Sequence, residues 1–300
     1  MNKFIRKIRF PFKLLFASIR YPAAIVGLSS VNVMSKADTI DKLIENDHLS
    51  LARFGDGELE MLTFKNIGFQ DYNENLSTRL ISVLENCPKN KNCLVALPDS
   101  FLNKDKMIFG SSLFWFFHKS FHYSKYKKYL HNDYFYGNTS VTRPYHDYVK
   151  KNNAKIIFDK FKKLINNRKI LIVEGKGTRL GVGNDLLSTA SSISRITTVN
   201  KNAFSIYNKI IDAVLKFGTE FDIILISLGP TATLLSYDLS CSGIRAIDTG
   251  HIDIEYEWMN ISAKSKVNIL GKNVNEAGVI CNEEMMEDIE YKQQIISHIE

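Results

Sequence analysis

Apolar residues in the second half of the chain gather into short continuous runs. Lys169 to Val173 (KILIV) ends in Glu174-Gly175, and Phe221 to Leu228 (FDIILISL) ends in Gly229-Pro230. Runs of this length, rich in Ile and Val, predict strands buried on both faces. The intervals carry helical spacing: a helix near 183–191, a short strand near 194–199, a helix near 203–216 and a strand at Ile244 to Ile247. In the first half, Ile40, Leu43 and Ile44 share one face of a helix over about 37–47. Leu49 to Phe54 reads as a strand, Leu76 to Leu84 as a helix and Cys93 to Leu97 as a short buried strand. Residues 101–131, rich in Phe, Tyr, His and Lys, predict a partly exposed helix. Residues 283–299 predict an acidic-to-mixed helix. Strands alternating with helices predict a parallel sheet in an α/β fold.

Residues 1–35 follow another pattern. Phe4, Ile5, Ile8, Phe10, Phe12, Leu14, Leu15 and Phe16 are interleaved with Lys3, Arg6, Lys7, Arg9 and Lys13, and Arg20 follows. This stretch has no acidic residue. Removing its six cations from the net charge of +7 leaves +1 for the remainder. The basicity therefore belongs to the arm, which argues against a nucleic-acid-binding core. Pro11 is expected to interrupt any continuous helix. A basic, aromatic-rich arm suits an anionic membrane surface; the alternative is packing on the protein or a second subunit. The chain thus divides into an arm (1–35), a main domain (36–282) and a C-terminal helix (283–300).

Composition narrows the class. Hydrophobic residues make up 45% and charged residues 24%, as in folded globular proteins. No run approaches the roughly 20 apolar residues that span a bilayer, and no cleavable leader stands out. The expected location is the cytoplasm, with peripheral contact of residues 1–20 at the inner face of the membrane. Cys87, Cys93, Cys241 and Cys281 form no CxxC pair and lack zinc spacing, so they read as reduced and structural.

The sharpest chemical feature is Arg53-Phe54-Gly55-Asp56-Gly57-Glu58. In an extended segment, residues at i and i+2 point to the same side. Asp56 and Glu58 would then offer two oxygen ligands to Mg²⁺ or Mn²⁺ shared with a diphosphate. A tight turn with solvated acids is the plain alternative. The segment Glu174-Gly175-Lys176-Gly177-Thr178-Arg179-Leu180-Gly181-Val182-Gly183-Asn184-Asp185 follows a strand and is expected to open a helix. Backbone N–H groups at such a start, with Lys176, Thr178 and Arg179, would bind phosphate. It matches neither a Walker A loop nor the dinucleotide GxGxxG spacing. Gly229-Pro230-Thr231-Ala232-Thr233 is a second strand-to-helix turn, where the threonines can cap or bind phosphate or ribose. Asp248-Thr249-Gly250-His251-Ile252-Asp253-Ile254-Glu255 is dense in acids around one histidine, and could supply a base, a metal ligand or sugar contacts. Tyr136 to Tyr145 (YGNTSVTRPY) offers hydroxyls, an amide and Arg143.

Taken together these segments resemble the GT-D glycosyltransferases, a bacterial family first catalogued as a domain of unknown function. The resemblance covers roughly residues 36–280 and rests on RFGDGE (53–58), YGNTSVTRPY (136–145), EGKGTRLGVGNDLL (174–187), SLGPTAT (227–233), DTGHIDIEYEW (248–258) and GKNVNE (271–276). It implies a Rossmann-like sheet flanked by helices and a metal-dependent transferase using a UDP-sugar, UDP-glucose above all. It also implies acceptors among bacterial surface glycoproteins and polysaccharides, and places the family's DxE on Asp56 and Glu58. Expected donor contacts are Arg53, Gly55, Arg143, Gly175, Lys176, Thr178, Arg179, Gly229 and Thr231. Expected acid–base candidates are Asp253, Glu255, Asp248 and His251. Two rivals remain at this level: another nucleotide-dependent enzyme, such as a dehydrogenase or methyltransferase, and a non-catalytic membrane-associated binding protein of polysaccharide assembly.

Overall fold

The computed structural model describes residues 3–102, 105–274 and 288–300, with side chains from Phe10 onward. Cys281 and the Asn275-Glu276 end of the GKNVNE motif lie outside the described residues. In chain order the elements are α1 (Lys3–Leu28), β1 (Asn32–Val33), α2 (Lys36–Glu45), β2 (Ser50–Arg53), α3 (Asp56–Met61), α4 (Glu74–Asn86), β3 (Cys93–Leu97), α5 (Phe109–Tyr126), β4 (Phe135–Asn138) and α6 (Asn152–Leu164). Then follow β5 (Lys169–Gly175), β6 (Ser192–Thr198), α7 (Tyr207–Phe217), β7 (Ile223–Ser227), α8 (Pro230–Cys241), β8 (Ala246–Asp248), α9 (Ile252–Asn260), α10 (Ile289–Gln294) and β9 (Ile295–Ile299).

The strands form one sheet in the order β1-β4-β3-β2-β8-β7-β5-β6-β9, and every pairing is parallel. Parallel pairing needs crossovers, and these place helices on both faces. One face carries α3, α4, α7 and α8 over Val95, Val173, Ile224 and Ile226. The other carries α2, α6 and α9 over Leu51, Ile170, Ile172 and Leu225. The Ile/Val-rich runs read as strands for this reason: their side chains are buried on both sides. Helix α6 shows the complementary pattern, burying Ala154, Ile157, Phe158, Phe161 and Leu164 on one stripe. Beside β5 the order reverses, because β6 continues outward while β7 returns to the other flank. Ligands bind at the carboxyl ends of strands near such reversals.

Three expectations give way. Pro11 does not interrupt the arm: α1 runs through both Pro11 and Pro22. Both prolines are solvent-exposed, where water can take a carbonyl that lost its donor. Packing on α5, through Phe10 against Phe117 and Tyr21 against Phe116, holds the helix across them. The helix expected near 183–191 is a series of turns. Arg179, Gly181 and Gly183 all have positive φ, which no right-handed helix accommodates. The Asn184 side chain also bonds to Asp253 and Glu257 rather than serving a local helix. Of the expected C-terminal helix, residues 283–287 lie outside the described residues; Ile289–Gln294 is helical, and the chain then becomes β9, paired in parallel with β6. An open sheet edge offers a full ladder of hydrogen bonds, which outweighs weak helical propensity.

Candidate active site

The carboxyl ends of β2 to β8 surround one cavity of about 790 Å³, with the first turns of α5 as an aromatic wall. Its lining includes Gly55, Asp56, Gly57 and Glu58 after β2, and Thr139, Ser140 and Arg143 after β4. Gly175 and Thr178 follow β5, Gly229 follows β7, and Gly250, His251 and Asp253 follow β8. Segments as far apart as 53–58 and 248–253 thus share one wall because their strands are neighbours: Leu51 pairs with Ile247.

Asp56 and Glu58 are not in extended backbone. They occupy the first turn of α3, so the same-side argument from strand geometry does not apply. Glu58 turns back to accept the Gly55 N–H at 2.8 Å, the reciprocal half of a capping box. Asp56 is exposed and Glu58 half-buried, and both still line the cavity. Burial, then the nearby Asp248 carboxylate, pushes the Glu58 carboxyl up to about 7, against a smaller opposing pull from Arg53. Among the described residues, no three His, Cys, Asp or Glu side chains converge as a complete cation cage.

Arg53 ties β2 to β8. Its Nη2 donates to Asp248 Oδ1 at 2.8 Å, its Nε to the Asp248 carbonyl at 2.9 Å, and its Nη1 to Thr142 at 2.6 Å. Gly250, at φ +47°, is what makes room: a Cβ there would lie 1.9 Å from Arg53 Nη2. Asp248 also accepts from the Gly250 N–H and Thr233, and burial raises its pKa despite Arg53. Asp248 does not line the cavity, so its expected acid–base role is corrected to that of a buried anchor.

Glu255 is corrected likewise. It is fully buried in α9, accepting the Tyr145 and His146 N–H groups at 2.9 Å each, with Arg143 Nε 3.8 Å away. Burial raises its pKa. It staples the 136–145 segment to α9. Asp253 does reach the cavity wall, but Lys272 Nζ lies 2.6 Å away, and Gly181 N–H and Asn184 Nδ2 also donate to it. Burial raises its pKa as well, against Lys272. His251 precedes α9, half-buried, on the cavity wall.

The donor loop divides. Gly175 and Thr178 line the cavity; Lys176 is exposed outside it. Arg179 is buried, pairs with Asp288 at 2.8 Å and stacks on Tyr291, so its expected phosphate role is corrected to a fold contact. Thr231 is fully buried within α8 and does not line the cavity, whereas Gly229 does. At φ +55°, Gly229 leaves the space that Phe69 fills, 2.2 Å from where a Cβ would stand.

The lining also contains Asp147, His146, Lys266, Phe69, Phe114 and Trp115, none expected from sequence. Asp147 had a local signal, an acid four residues after Arg143 and just past the YGNTSVTRPY segment. The aromatic residues had none: α5 brings in Phe114 and Trp115, and the segment between α3 and α4 brings in Phe69.

Residues 51–277 match the family model described as glycosyltransferase GT-D fold. The chain is 39% identical over 272 residues to glycosyltransferase GlyD of Streptococcus pneumoniae serotype 4, covering 91% of this chain and 33% of that protein. It is 35% identical over 269 residues to a probable glycosyl transferase, Gly, of Streptococcus gordonii, covering 90% of this chain and 39% of that protein. The chain therefore spans between a third and two fifths of these curated relatives. A solved domain of unknown function 1792, described as having a distinct glycosyltransferase fold, superposes with TM-score 0.85 at 38% identity, over 93% of this chain and all of that one. A glycosyltransferase of the same domain type from Streptococcus sanguinis superposes with TM-score 0.82 at 35% identity, over 90% of this chain and all of that one. Matched in sequence from β2 through α9 and in fold across nearly its whole length, the chain belongs to the GT-D-fold glycosyltransferase family.

Proposed function

We propose that this chain transfers a hexose, glucose first among candidates, from a UDP-sugar to a glycan or glycoprotein acceptor in bacterial surface glycoprotein or polysaccharide synthesis. A divalent cation, Mn²⁺ or Mg²⁺, would sit at Asp56 and Glu58. The observation that carries the cation is that Asp56 and Glu58 line the cavity together in the first turn of α3, with the proton affinity of Glu58 raised by burial and by the Asp248 charge. Hard dications favour such clustered oxygen anions, and two protein ligands leave positions for a diphosphate and water. Bound there, the cation would supply Lewis-acid neutralisation of charge on the departing diphosphate.

The chain's own residues supply the rest. Gly175 and Gly229 let a bulky donor approach the backbone, and Thr178 and Arg143 offer a hydroxyl and a cation to the cavity. For an inverting transfer, a base must face the acceptor hydroxyl. Asp253 is neutralised by Lys272, and Asp248 and Glu255 are sealed off. His251 and Asp147 are the cavity-facing groups that fit this role. The apolar wall of Phe69, Phe114 and Trp115 suits stacking against a base or sugar ring.

The test is UDP release from a panel of UDP-sugars, with and without acceptor glycans. Turnover should require Mn²⁺ or Mg²⁺ and stop in chelator. Full turnover in chelator would remove the cation, and no UDP release from any donor would remove the transfer reading.

A further inference from the structure

Helix α1 has two faces, and α5 covers only one. Ala17, Ala24 and Leu28 are buried along the first, with Phe10 and Tyr21 stacked on the Phe117 and Phe116 rings of α5. The small alanines let the two helices approach closely. On the opposite side, Phe12, Leu15, Phe16, Ile19 and Val26 follow one another at helical spacing and form a second stripe. These side chains remain exposed: 63%, 58%, 57%, 67% and 74% respectively. The stripe runs about 21 Å along the helix. Scattered exposed apolar residues need no explanation, but a continuous stripe of this kind marks an interaction surface.

Charge selects the occupant. Lys13 and Arg20, seven residues apart, lie between the two faces, over the Phe117 and Phe121 rings. Residues 1–35 hold six cations and no acid. A second copy of the arm would bring like charges together with nothing to neutralise them. No helix among the described residues is long and apolar enough to cross a membrane, so the arm would lie on a bilayer rather than span it. Large aromatic and aliphatic side chains flanked by cations are what the interface of an anionic bilayer accommodates.

We propose that the uncovered face of α1 docks on an anionic lipid surface, burying Phe12, Leu15, Phe16, Ile19 and Val26 among the acyl chains while the basic residues meet the headgroups. The α1–α5 pair is then a rigid foot, because the face turned away from the membrane is fixed to α5. The same α5 gives Ser111, Phe114 and Trp115 to the cavity wall, so docking would hold the cavity at a set distance from the bilayer.

Flotation of the full chain with vesicles tests this independently of sugar transfer. Phosphatidylcholine vesicles containing phosphatidylglycerol should carry at least about tenfold more protein than pure phosphatidylcholine vesicles, and high salt should weaken capture. The variant F12S/F16S/I19S, altered only on the uncovered face, should lose flotation while keeping the parent's circular dichroism and UDP release. Equal flotation of variant and parent, or no capture of the parent by either vesicle, overturns the proposal. A parent that sediments as a dimer, with a monomeric variant, would assign the face to a second copy instead.

Discussion

At the scale of single residues, the cavity's acids sort by what surrounds them. Asp248 has both oxygens engaged in the interior by Arg53, Thr233 and the Gly250 N–H, and Glu255 has Oε2 engaged by the Tyr145 and His146 N–H groups. Asp56 and Glu58 meet the cavity. Asp56→Asn and Glu58→Gln should therefore fold as the parent and lose about 10²-fold or more in transfer rate, with weaker Mn²⁺ activation. His251→Gln should keep Mn²⁺ activation and lose transfer rate, read as UDP release at saturating donor and metal. If the first two variants keep near-parental rates, the carboxylates contact sugar rather than metal. His118 offers a separate residue-scale test. It is 3% exposed, packed against Trp115, and burial drives its pKa from 6.5 down to about 3. The unfolded chain takes up this proton first, so the stability present above about 6.5 falls as pH drops towards 3. The slope is about 1.4 kcal/mol per pH unit for one proton. His118→Phe should flatten the fall in denaturation midpoint between neutral and acid pH. An unchanged slope would mean that His118 is hydrated in the native state.

At the scale of elements, the C-terminal segment closes the sheet and braces the donor loop at once. Strand β9 adds to β6, and α10 delivers Tyr291 between Arg179 and Arg195, 4.6 and 4.9 Å from its ring. Arg195 in turn pairs with the buried Glu174 at 2.7 Å, and Glu174 accepts the Leu180 N–H at 2.8 Å. Removing the ring leaves two guanidinium groups without their stacking partner and opens a cavity. Tyr291→Ala should cost about 3 kcal/mol in denaturant unfolding, and Tyr291→Phe much less. Parental stability in Tyr291→Ala would show that the segment is not docked in solution. The Glu174-Gly175 pair thus reads differently from the sequence motif that contains it: the acid supports the loop from below, and only Gly175 touches the cavity.

At the scale of the whole molecule, the parallel sheet gathers six separated segments at one end. A cavity of about 790 Å³ there is large enough for a nucleotide sugar and part of an acceptor. If UDP with Mn²⁺ occupies it, ligand at a hundred times its Kd should stabilise the fold by about 2.7 kcal/mol. A thermal shift should appear with UDP and Mn²⁺ together, shrink without metal, and be absent with NAD or S-adenosylmethionine. Equal shifts by NAD would break the link between this cavity and UDP-sugars.

The strands whose apolar runs are buried on both faces, such as Lys169–Gly175 and Ile223–Ser227, were legible in the chain, because that burial leaves a continuous pattern. So was the order of motifs that carries the family, since glycines such as Gly229 and Gly250 are dictated by local backbone conformation and close approach. Tertiary structure alone decided the rest. Asp248, Glu255 and Arg179 became fold anchors because Arg53, the 145–146 backbone and Tyr291 reach them from distant elements. Residues 295–299 became a strand because β6 had an open edge. Each of these outcomes depends on a partner far away in sequence, and local propensity carries no information about where that partner will be.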